Sequence, residues 1–154
     1  TSNGKVGYVF SAFLKKVIQK NDNSKRNNLN KIFNELCRNC QNSLECAQAI
    51  ETFQINNEKV HFSRKDEILE LKIFNGHINN IINEKSNKWG QAKVYHYREF
   101  LPKLELFVVH VQYYEGDGYL LVDAKNGTMK YVWGLPIGSP DNDRFIVISE
   151  DLDA

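Results

Sequence analysis

The chain has 154 residues, with 20 Lys and Arg against 19 Asp and Glu, 42% hydrophobic residues and 12% aromatic residues. These values suit one folded domain and exclude wholesale disorder, while 3 Pro and 9 Gly exclude collagen-like and linker-like chains. No apolar run approaches the roughly 18 residues a transmembrane helix needs, and a net charge of +1 argues against a whole-surface nucleic-acid binder.

Helical periodicity comes first. Val6, Phe10, Phe13, Leu14, Val17 and Ile18 recur at helical spacing over 6–20, and Asn21-Asp22-Asn23-Ser24 reads as a turn. A second helix is expected over about 25–40, with Leu29, Ile32, Phe33, Leu36 and Cys37 on one face. Ser43 is placed to N-cap a short third helix through Ala47 and Ile50. The period then changes. Thr52-Phe53-Gln54-Ile55, Asn56-Asn57 and Val60-His61-Phe62 read as a short hairpin. Leu69, Leu71 and Ile73 alternate with Glu70 and Lys72 as a half-buried strand does, and Asn75-Gly76 signals a type I′ turn. Ile78, Ile81 and Ile82 fit a helix or a strand equally, and 83–93 reads as a polar loop.

From Val94 the chain reads as strands: 94–98, 104–114, 119–123, 129–133 and 145–149. Gly116-Asp117-Gly118 and Asn126-Gly127 supply short turns between neighbours, as an antiparallel meander requires. Leu135-Pro136 and Ser139-Pro140 interrupt the ladder, because proline has no N–H to donate. The expected fold is a single α+β domain over 1–154. Two or three N-terminal helices (about 5–50) pack on an antiparallel β meander (about 51–150).

Leu120-Leu121-Val122-Asp123-Ala124-Lys125-Asn126-Gly127-Thr128, followed by Ser139-Pro140-Asp141-Asn142-Asp143-Arg144-Phe145, resembles blades of bacterial WD-type β-propellers. In such blades a strand, an Asp, a Gly turn and a Ser-Pro-Asp turn lead into an apolar strand. The resemblance covers residues 119–149, and the Ser139-Pro140-Asp141 turn lacks the Gly usual after its Asp. A closed propeller needs at least about four blades, so the resemblance implies at most one blade-like sheet. It also implies a scaffold that binds proteins or ligands, and no catalytic residue carries over.

Cys37, Cys40 and Cys46 are spaced C-x2-C-x5-C. They suit one disulfide (Cys37–Cys46 or Cys40–Cys46) with a thiol left over, or three packed reduced thiols. Zinc would need His61 or His77 as a fourth ligand, and no metal or other cofactor is expected. A catalytic cysteine would need His61, His77, His96 or His110 nearby as base. Glu115, Asp117 and Asp123 flank a tight hairpin as candidate paired carboxylates, although turns recruit Asp for backbone reasons. Asp141-Asn142-Asp143 is out of register for an EF-hand, and the sequon Asn126-Gly127-Thr128 is explained by its turn. Phosphate loops, His-Glu-x-x-His segments and Gly-x-Ser-x-Gly elbows are absent from the sequence.

The small net charge conceals an asymmetry. Residues 1–93 carry 15 Lys and Arg against 9 Asp and Glu, whereas residues 94–154 carry 5 against 10. Tyr113, Tyr114, Tyr131 and Trp133 lie on expected strands, and such aromatics are enriched at interface centres. The sequence therefore points to a non-enzymatic protein-binding domain, of the inhibitor or immunity type found in bacteria. A small hydrolase with a non-local Cys/His or carboxylate site is the alternative. The expected partner is another protein rather than nucleic acid. A disulfide would favour an extracytoplasmic location, and no leader is visible at Thr1.

Overall fold

Helix α1 (Asn23–Cys37) turns its apolar face inward through Phe33, which is buried, with Leu29, Ile32, Leu36 and Cys37 half-buried beside it. A computed structural model describes residues 23–85, 91–114, 116–139 and 144–148. The helix expected over 6–20, Glu115 and Asp141-Asn142-Asp143 lie outside the described residues. Asn23 and Ser24, expected in a turn, open α1 instead. Helix α2 (Ser43–Asn57) starts one residue earlier than Ser43 capping would allow. Asn42 is the N-cap, accepting from the Glu45 N–H at 3.0 Å, and Glu45 in turn accepts from the Gln41 N–H at 2.8 Å.

The hairpin expected over 52–62 does not form. Residues 52–57 continue α2, whose buried stripe is Ala47, Ile50, Glu51 and Gln54. That spacing is helical, but half of the stripe is polar, so apolar periodicity could not reveal it. Only Phe62 survives as strand, opening β1 (Phe62–Lys65).

Strand β2 (Ile68–Lys72) pairs antiparallel with β1 and with β3 (Ile78–Ile82), which resolves the ambiguous isoleucine segment as a strand. Ile81 is buried while Ile78 and Ile82 are exposed. The β2–β3 turn is not type I′: among its residues only Gly76 has positive φ (+88°), and its N–H returns to the Ile73 carbonyl at 3.0 Å.

The second sheet is a four-stranded antiparallel meander: β4 (Val94–Leu101), β5 (Leu106–Tyr113), β6 (Gly116–Asp123) and β7 (Met129–Val132). Gly116-Asp117-Gly118 belongs to β6 rather than to a turn, because Gly116, Asp117 and Gly118 pair with Tyr113, Gln112 and Val111 of β5. Strands β8 (Pro136–Gly138) and β9 (Phe145–Val147) make a separate two-stranded sheet. The strands described within 119–149 are thus divided between two sheets.

The chain is α+β, with two helices packed on antiparallel sheets of three, four and two strands. The main core lies between the first two sheets. Phe62, Leu69, Leu71 and Ile81 meet Tyr95, Tyr97, Phe107, Val109, Val111, Leu120 and Val122, with Phe62 stacked on Tyr97 at 3.8 Å. Each fully buried leucine here contributes roughly 1.5–3 kcal/mol. The outer face of the four-stranded sheet carries a smaller cluster of Leu101, Val108 and Leu121.

Candidate functional site

The two edges of the four-stranded sheet are finished differently. Along edge strand β4, four backbone groups between Tyr95 and Arg98 are taken by side chains. Asn83 Oδ1 accepts from the Tyr95 N–H at 2.9 Å, and Arg64 Nη2 donates to the Tyr95 carbonyl at 2.6 Å. Glu51 Oε2 accepts from the Tyr97 N–H at 2.6 Å, and Gln54 Nε2 donates to the Arg98 carbonyl at 2.7 Å. A buried edge must satisfy these groups, and here α2, β1 and the residue directly after β3 supply the side chains that do so. Glu51 is held on its other side by Arg64 in a two-point contact, both at 2.7 Å. Burial would raise the Glu51 carboxyl, but the His96 ring, the Arg64 guanidinium and the Tyr97 N–H outweigh it, and the carboxyl is held down at about 2.

The opposite edge, β7, carries the aromatic residues. Tyr131 on β7 and Trp133 just beyond it are 49% and 71% exposed. The Tyr113 ring lies 5.7 Å from that of Trp133, at the end of β5, with Gly118 of β6 beneath both. A Cβ at Gly118 would stand 3.0 Å from the Val132 carbonyl oxygen and 3.5 Å from the Tyr113 ring, so glycine permits the two rings to close over the backbone. Tyr131 is anchored by its hydroxyl. Tyr95 donates to Glu84 Oε1 at 3.1 Å, which leaves its oxygen to accept from Tyr131 at 2.8 Å. Lys93 completes the corner, 3.1 Å from Glu84 Oε1 and 5.9 Å from the centre of the Tyr131 ring. Burial and these hydroxyl and carboxylate neighbours push the Tyr95 phenol up, so it stays a neutral donor.

Three of the four sequence-chosen aromatics therefore share one corner, while Tyr114 sits apart in the β5–β6 turn. Lys93, Tyr95, Glu84 and Gly118 belong to that corner and were not legible in the sequence. Only Gly118 leaves a trace, as a glycine among aromatics that turn chemistry alone would also explain.

The catalytic candidates are dispersed. Cys37 and Cys46 are joined by a disulfide with Cα atoms 4.7 Å apart, which removes them as ligands or nucleophiles and leaves Cys40 as the free thiol. Among the described residues no group of three or more His, Cys, Asp or Glu is arranged to hold a metal ion. His61 packs against Phe100 at 4.4 Å, and its burial followed by the nearby Lys72 charge lowers its basicity. His77 is exposed, beyond the β2–β3 turn. Asp117 and Asp123 stand at opposite ends of β6, about 20 Å apart at strand rise, too far to act as a carboxylate pair. Asp123 Oδ1 is occupied by the Lys125 and Asn126 N–H groups at 2.8 and 3.0 Å, an Asx turn.

His110 Nε2 does meet Asp117 Oδ2 at 2.9 Å, and His110 faces His96 across β4 and β5. Burial lowers His110, and the Asp117 contact partly opposes it. His110 Nδ1 is buried without a hydrogen-bond partner, so among the described residues no nucleophile is set against it.

No protein-family model matches the chain, and neither does any curated protein or solved structure. Among the described residues no helix is long and apolar enough to cross a membrane.

Proposed function

We propose that this chain is a non-enzymatic protein-binding domain whose contact face is the β7 corner. The observation that carries this reading is the convergence of Tyr113, Tyr131 and Trp133 on an exposed sheet margin. Exposed Trp and Tyr anchors beside a polar corner (Lys93, Glu84) are the chemistry of an interface centre with its rim. The broader reading is an inhibitor or immunity-type protein of bacterial origin. The Cys37–Cys46 disulfide is consistent with an oxidising compartment.

The second reading, a small hydrolase, rests on the His110–Asp117 contact at 2.9 Å. One comparison separates the two. The wild-type chain should retain a specific protein from a native lysate, and Trp133→Ala should lose it with the fold intact. The protein-binding reading fails if nothing is retained and a hydrolase screen shows turnover that Asp117→Asn abolishes.

A further inference from the structure

We infer that β7 is a docking edge that accepts an extended peptide, alternating apolar and acidic, as an added strand. This rests on the protein-binding reading and specifies its partner. The four-stranded sheet ends in β4 and β7, and four side-chain contacts occupy the outward backbone groups of β4. Among the described residues β7 is paired with β6 alone, and neither another strand nor a side chain takes its outward N–H and carbonyl groups. A sheet edge left in that state is a template for another strand.

The side chains of β7 state what the added strand must carry. Met129, Tyr131 and Trp133 alternate along one face and are all exposed. Lys130 points to the other face, is exposed, and has no carboxylate at ion-pair distance among the described residues. A strand added alongside would set every second side chain against the Met129–Tyr131–Trp133 stripe and the intervening ones beside Lys130. Apolar residues suit the stripe, and acidic residues suit Lys130. A second copy of the chain fits less well, because it would bring another Lys130 to the same four-residue edge.

The probe is a fluorescein-labelled synthetic peptide of alternating Val and Glu, compared by anisotropy with its Val–Lys counterpart on the full chain. The Val–Glu peptide should bind about tenfold tighter, Lys130→Glu should reverse the preference, and Trp133→Ala should weaken the Val–Glu peptide by about tenfold. Lys130 is exposed, so its reversal leaves the fold intact. Strand addition is overturned if neither peptide saturates, if Lys130→Glu leaves the preference unchanged, or if the edge is instead filled by dimerisation. Trp133-dependent capture of a lysate protein, with peptide binding absent, would leave the protein-binding reading standing and remove this inference alone. Loss of both would remove both.

Discussion

Glu51 shows how much one side chain can hold together. It accepts the Tyr97 N–H, grips Arg64 at two points and lies 3.5 Å from His96 Nδ1. Its carboxyl is held at about 2 against an ordinary 4.5, so the ionised form is favoured in the folded chain. Stability from this depressed carboxyl is complete above its unfolded value and is lost as pH falls from about 5 towards 2. It amounts to about 3 kcal/mol in order of magnitude. His110 adds an earlier window: its basicity is lowered on folding, so stability falls as pH drops through the ordinary histidine value of 6.5. Urea midpoints measured from neutral pH to about pH 3 should therefore decline in two stages, and Glu51→Gln should remove the lower one. At Gly118, Ala should cost about 1 kcal/mol, because the Val132 carbonyl 3.0 Å from the new Cβ cannot easily give way. Trp133→Ala, by contrast, should cost less than about 1 kcal/mol, since most of that ring is exposed.

Among the elements, α2 explains both a success and an error of sequence reading. Ser43, Ala47 and Ile50 announce a helix in the sequence, but its second half is hidden because Glu51 and Gln54 are the buried residues there. They are polar because they cap β4, a reason that exists only after the chain has folded. The meander was legible for the opposite reason: Val109, Val111, Leu120 and Val122 face one core, with Asp123 and Gly127 closing the β6–β7 turn. Gly118 misled because its packing role beneath Tyr113 and Trp133 uses the same residue type as a turn. Tyr113, Tyr131 and Trp133 were legible as strand aromatics, whereas Lys93 and Glu84 meet them only through tertiary pairing. The helical hairpin carries its own check. The disulfide joins the last residue of α1 to the first turn of α2, so denatured, unreduced protein should expose one reactive thiol, Cys40. Reduction should cost about 2–3 kcal/mol for so short a loop, and three reactive thiols before reduction would contradict the disulfide.

At the scale of the whole molecule, the +1 net charge is the sum of a basic first half and an acidic second half. Association through either half should be salt-sensitive: raising salt from about 50 to about 500 mM should weaken binding several-fold, mainly through slower association. Affinity indifferent to salt would place the contact away from charged surface. Among the described residues the four-stranded sheet is asymmetric as well: side chains of Glu51, Gln54, Arg64 and Asn83 cover β4 between Tyr95 and Arg98, and β7 has β6 as its one strand neighbour. The proposed docking of a partner at β7 is tested most directly by hydrogen exchange of the chain with and without its captured partner. New protection is expected at the β7 amides, Met129–Val132, and is lost when Trp133→Ala is used. Protection elsewhere with β7 unchanged, or full binding by Trp133→Ala, would contradict it.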